Sequence, residues 1–166
     1  CARALLQHSP QLIRAPTIDG TFPLHLGCIE GQSQIVQFLI NFPYPDCVKK
    51  LFKELTGEKM YRLGLALNAK DGHGRTPLHA AVMHNQLSVV ETLLRFKVPV
   101  LPPLGEEEDS DKEAVVEEFR PVEVDILDLD GNTPLHLAVK GDGQQGFHKV
   151  ANLLLHCGAN PNRPMI

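Results

Sequence analysis

Eight histidines, four cysteines and 20 carboxylates in 166 residues are enough to ask first whether a metal site or a nucleophile is encoded. A metal needs three or four such groups converging on one point. His25, His79 and His136 instead close three copies of one hexapeptide: Gly20-Thr-Phe-Pro-Leu-His25, Gly74-Arg-Thr-Pro-Leu-His79 and Gly131-Asn-Thr-Pro-Leu-His136. Residues one structural repeat apart cannot share an ion, so each is expected to serve its own copy. His79 and His84, five apart, do not share a helical face, and no Glu completes a zinc-protease frame. Cys28, Cys47 and Cys157 read as small buried or half-buried thiols, and the four cysteines form no CxxC pair, which favours a reducing compartment. The glycine-rich stretches at 71–74 and 141–146 lack the Lys-Ser/Thr of a phosphate-binding loop. No catalytic group, cofactor or metal is expected from this inventory.

The elements that position these residues follow from physical chemistry. A Thr before Pro (Thr76, Thr133) is an N-cap whose hydroxyl satisfies an orphan helix amide. Pro77 and Pro134 then occupy the first helical position, where a missing N–H is harmless. Leu78, Ala81 and Val82 line one buried face, and the small Ala80 and Ala81 permit close helix approach. Gly20, Gly74 and Gly131 fall where a tight turn calls for positive φ. Each hexapeptide is followed, after a polar stretch, by an apolar run at helical spacing: 35–40, 89–94 and 149–155. A single pair of short helices cannot bury its apolar face alone, so the units must stack.

These words, Gly-x-Thr-Pro-Leu-His with a second helix ending in Val-Val-x-x-Leu-Leu, resemble the ankyrin repeat. The likeness touches about two thirds of the chain and implies an all-α solenoid of helix-turn-helix units with β-hairpin fingers, carrying two long insertions. The first residues align with the end of the third unit, so the chain reads as a piece of a longer protein opening inside a partial copy (1–16). Repeat cores are expected at 17–41, 68–97 and 123–166. The capping positions Phe22, Thr76 and Thr133 lie 54 and then 57 residues apart, against a usual period of about 33, so the excess must sit in loops. In the 42–67 insertion, Val48, Leu51, Phe52 and Leu55 at helical spacing predict a short extra helix ended by Gly57, or the second helix of the first unit prolonged beyond a Pro-marked break. The 98–122 insertion opens with Pro99, Pro102 and Pro103, then carries eight acidic residues against Lys112 and Arg120. Such a run is expected to stay solvated and mobile, with a regulatory phosphosite at Ser110 or recruitment of a basic partner as the functional alternatives. In the last unit, three extra residues enlarge the loop around 141–146. Phe22 stands where the capping Thr belongs, a loss of about 1 kcal/mol, which burial of its ring is expected to offset.

The resemblance also implies that the motif histidine is structural and that the repeats bind a protein or peptide in a groove of finger tips and first helices. The positions that usually face partners correspond to Ile18, Asp19, Thr21, Ile29 and Glu30 in the first unit. In the second they are Gly72, His73, Arg75, Met83 and His84, and in the third Leu129, Asp130, Asn132, Lys140 and Gly141. Ile18, Ile29, Met83 and Leu129 would form an apolar row. Asn85-Gln86, where Gly-His is usual, is similar to ankyrin domains of the Rel-inhibitor group. A second expectation is intramolecular docking on a kinase or channel domain of the same protein. A net charge of −4, no Trp and 5% aromatic residues argue against nucleic acid, and no apolar run reaches a membrane-spanning length. The chain is expected to be monomeric and cytoplasmic, with the nucleus also open to it.

Overall fold

A computed structural model describes residues 12, 15–41, 67–99, 118–119, 122–141 and 147–164. Three helical pairs run along it: α1 (Pro23–Ile29) with α2 (Ser33–Ile40), α3 (Pro77–Met83) with α4 (Leu87–Arg95), and α5 (Pro134–Lys140) with α6 (Phe147–His156). The first helices pack in the order α1, α3, α5 and the second helices in the order α2, α4, α6. The result is two helical layers, and their shared core holds Leu24, Cys28, Val36, Leu78, Val82, Val90, Leu94 and Leu154. Seven-residue first helices would be marginal alone; burial of such side chains, about 1.5–3 kcal/mol each, holds them in place.

Local chemistry follows the repeated words. Thr76 and Thr133 are extended N-cap residues, each in a reciprocal capping box with the histidine three positions on, and Pro occupies the start of α1, α3 and α5. Phe22 caps nothing. Its ring is only half-buried and stacks on the His25 imidazole at 5.8 Å, so the expected offset by burial is partial. Gly20, Gly74 and Gly131 all have φ near +75°. Asn85 adopts φ +52° at the turn between α3 and α4, the place Gly31 fills in the first unit.

The fingers before the first helices are tight turns rather than two-stranded ribbons. Each is closed by a backbone bond: Thr17 N–H to Thr21 O, Asp71 N–H to Arg75 O, and Asp128 N–H to Asn132 O. Among the described residues, strand pairing occurs only between β1 (Val98–Pro99) and β2 (Glu118–Phe119), which are antiparallel. This pairing brings together the two ends of the acidic insertion. Val122 and Leu67, both assigned from sequence to insertions, are buried in the array core. The reason is register: both sit in the segments leading into the fingers, where an apolar side chain reaches the helices. The extra helix expected around Val48–Leu55, Ser110, Cys1, Cys47, the 142–146 loop and most of the partial copy lie outside the described residues.

Position matters as much as residue type along the stack. Val139 is 60% exposed, whereas Cys28 and Val82 at the equivalent place are fully buried. Among the described residues nothing packs on that side of α5.

Candidate groove of fingers and first helices

The motif histidines show how the units are joined. The His79 Nε2 faces the Asn132 carbonyl in the next finger at 3.2 Å, and the His25 Nε2 faces the Arg75 carbonyl at 2.8 Å. A carbonyl can only accept, so Nε2 carries the proton and Nδ1 is the acceptor in both rings. The His79 Nδ1 accepts from the Thr76 hydroxyl at 2.8 Å and the Thr76 N–H at 3.2 Å. The His136 Nδ1 makes the same pair of contacts with Thr133. In the first unit Phe22 offers no hydroxyl, and the buried His25 Nδ1 has no hydrogen-bond partner. Burial holds both His25 and His79 below the ordinary imidazole pKa, opposed by the Arg75 carbonyl and Asp71 at His25 and by the Asn132 carbonyl and Asp128 at His79. Neutral rings with a fixed tautomer suit a structural joint.

The fingers are also tied to one another and within themselves. Gly72 donates its N–H to the Asp19 carbonyl at 3.0 Å, and Leu129 donates to the His73 carbonyl at 3.1 Å. Asp71 Oδ1 accepts from the amides of His73 and Arg75. Asp128 does the same for Asp130 and Asn132. In the first finger the Thr17 hydroxyl takes that place, accepting from the Thr21 amide. Further down, Asn68 Oδ1 accepts from the Glu123 amide and Asp125 Oδ1 from the Asn160 amide, one such link for each successive unit. These carboxylates and amides were not singled out from sequence. Their signal is the recurrence of Asp three residues before the turn glycine, at Asp71 and Asp128.

On this frame the sequence-selected positions divide. Ile18 is fully exposed, Leu129 is 76% exposed, and Met83 is exposed at the end of α3. Asp19, Glu30, Gly72, His73, His84, Asp130 and Lys140 are exposed as well. Thr21, Ile29, Arg75 and Gly141 are half-buried; Ile29 packs against the core, and its carbonyl accepts from Gln86 Nε2. Arg75 turns its Nε inward, where it is buried without a partner. Asn132 corrects the expectation outright. It is only 3% exposed, because its amide group donates to the Asp128 carboxylate and its oxygen accepts from Lys140 Nζ at 2.6 Å. It braces the third finger and presents no surface, and it also occupies the ammonium of Lys140.

Cys28 is fully buried, which pushes its thiol pKa far up, and Cys157 is half-buried. Among the described residues no group of three His, Cys, Asp or Glu is placed to hold a metal ion, and no helix is long and apolar enough to cross a membrane. A polar hollow of about 550 Å³ between the ends of α2 and α4, lined by Gln37, Glu91 and Arg95 among others, lies on the second-helix layer, away from the fingers.

Comparison with known proteins agrees with this geometry. A family model described as ankyrin repeats (3 copies) matches residues 1–101 and 45–165. The chain is similar to leucine-rich repeat serine/threonine-protein kinase 1 of Caenorhabditis elegans, 28% identical over 161 residues, covering 96% of this chain and 6% of that protein. It is 27% identical over 157 residues to the nuclear factor NF-kappa-B p105 subunit of Gallus gallus, covering 86% of this chain and 13% of the relative. It is 29% identical over 100 residues to the probable E3 ubiquitin-protein ligase XBOS32 of Oryza sativa subsp. japonica, covering 60% and 16%. The chain therefore spans 16% or less of the length of each of these relatives. Ankyrin repeats generally mediate protein–protein contacts, and with three stacked units joined finger to finger this chain belongs to the ankyrin-repeat family.

Proposed function

We propose that this chain is a non-catalytic protein-recognition module that holds a protein or peptide partner on its finger and first-helix face. The observation that supports the reading is the run of exposed apolar side chains Ile18, Met83 and Leu129, one from each unit. The inter-finger hydrogen bonds hold the fingers of Ile18 and Leu129 in fixed relation, and Met83 stands at the end of the buried helix α3 between them. A surface preorganised in this way binds with little backbone change, and a few side chains set its affinity. Asp19, Glu30, His73, His84 and Asp130 form the polar surround. Arg75, Thr21, Ile29 and Lys140 contribute through the atoms they leave exposed. The module acts as a monomer in the cytoplasm or nucleus, as one section of a longer protein.

The test is affinity capture from cell lysate with the natural chain and an Ile18→Asp/Met83→Asp/Leu129→Asp variant of unchanged melting temperature. Specific partners should be lost with the variant; partners retained in full would sink the reading. A second reading has one observation in its favour: a relative covering nearly the whole chain is by name a protein kinase many times longer. There the same face docks on another domain of its own protein. Binding seen only within the full-length protein, and disrupted by the same three substitutions, would select it.

A further inference from the structure

The fingertip row has a chemical pattern that points to the kind of segment it receives. The middle finger has no side chain at the place that Ile18 and Leu129 fill in the outer ones: Gly72 stands there, followed by the exposed His73 and by Gly74, and both glycines are imposed by neighbouring chain. A side chain at Gly72 would meet the Asp19 carbonyl at 2.6 Å, and one at Gly74, where φ is +72°, would meet the Leu129 backbone and side chain at 2.8–2.9 Å. The outer fingers are not bare. Ile18 stands fully exposed on one side and Leu129, leaning on Gly74, on the other. At the Gly72 place the row is therefore open between two apolar side chains. Next in the chain to each of these apolar residues is an exposed carboxylate, Asp19 after Ile18 and Asp130 after Leu129, with the exposed His73 at the same place in the middle finger. Among the described residues neither carboxylate is paired with a cation: the Lys140 ammonium bonds the Asn132 amide oxygen, and Arg75 is half-buried with its Nε turned inward. Across the three fingers one place thus reads apolar, open, apolar, and the next reads carboxylate, imidazole, carboxylate.

We propose that the fingertip row receives an extended partner segment in which one apolar side chain lies between two cations. The apolar group sits over the exposed Gly72 backbone between Ile18 and Leu129, and the cations meet Asp19 and Asp130. This rests on the groove reading and deepens it. Successive units pack about 8–10 Å apart, so Asp19 and Asp130, two units apart, are separated by roughly 20 Å. An extended chain advancing about 3.3 Å per residue covers that distance in about six residues. The recognised pattern is a Lys or Arg, an apolar residue about three positions on, and a second Lys or Arg about three beyond that. An acidic segment is rejected by like charge at both ends.

The experiment selects a phage-displayed random dodecapeptide library on the whole 166-residue chain. Enriched sequences are then measured as synthetic peptides by fluorescence anisotropy. Two variants, each with unchanged melting, serve as controls: Asp19→Lys/Asp130→Lys and Ile18→Ser/Leu129→Ser. The expected result is enrichment of peptides with two cations about six residues apart around an apolar residue. Their binding should weaken about tenfold in the charge-reversed variant and should fall with added salt. Enriched peptides that lack cations yet lose binding in the Ile18→Ser/Leu129→Ser variant keep the groove reading and overturn this inference alone. Peptides that bind both variants as well as the natural chain contact another surface, which overturns both. Failure to enrich any sequence overturns both as well.

Discussion

The two described junctions between units use the same histidine and differ by one hydroxyl. At the second junction His79 is satisfied on both sides: Nε2 on the Asn132 carbonyl and Nδ1 on Thr76. At the first, His25 reaches the Arg75 carbonyl, but Phe22 leaves Nδ1 buried and unpartnered. The difference teaches that the motif histidine has two separable duties. Its outer nitrogen joins units and depends on nothing in its own helix; its inner nitrogen closes the helix cap and needs the Thr. The first junction keeps the joint and forgoes the cap, with an imidazole–phenyl stack as partial replacement.

The largest effect should come from removing the ring where it has most partners. His79→Ala leaves the Thr76 amide and hydroxyl and the Asn132 carbonyl unpaired in a buried site, a loss of about 2–3 kcal/mol. His25→Ala removes a ring that closes no cap, leaving chiefly the Arg75 carbonyl unpaired, and should cost about 1 kcal/mol. Urea unfolding of the two variants measures the gap, and equal losses would break the two-duty account. Acid comes next. Both rings have folded pKa values lowered by burial, so the unfolded state binds the proton more readily. The stability they contribute is complete above the unfolded value of about 6.5 and is lost as the pH falls below it, by up to about 1.4 kcal/mol per pH unit per ring. Urea midpoints between pH 8 and about pH 5 should decline mainly in the lower part of that range, and replacing both histidines with Phe should flatten the decline.

Phe22→Thr should then supply the missing cap and stabilise the chain by about 1 kcal/mol less the lost ring contact. Hydrogen exchange in α1 should slow while that in α5 stays unchanged. The smallest effect belongs to the surface: Ile18→Ser should move stability by less than about 0.5 kcal/mol, which separates its part in binding from any part in folding.

Much of this was legible in the residues because the repeat words encode local physics. Thr76-Pro77 announces a capped helix start, Leu78 and Val82 its buried face, and the loss of the cap at Phe22 follows from residue type alone. Asn132 was misplaced because exposure at its position depends on what its neighbours bring. An Asp four residues earlier and a Lys eight residues later enclose an amide that Thr21 and Arg75 at the equivalent places do not have. The finger braces Asp71 and Asp128 went unnoticed because they act on backbone amides, which leave no mark in a hydropathy pattern. The pairing of Val98–Pro99 with Glu118–Phe119 was hidden for a related reason: two residues of strand carry no periodicity, and a Pro in one of them speaks against it.

That short pairing has a consequence for how the acidic insertion can change. Once its ends are held together beside the array, the chain between them is a closed loop, and the free energy of closing a loop rises only logarithmically with its length. Doubling the segment adds only about 0.6 kcal/mol. The stack is thereby insulated from whatever is written between the two strands, and the insertion can lengthen, shorten or acquire new sequence while the fingers keep their spacing.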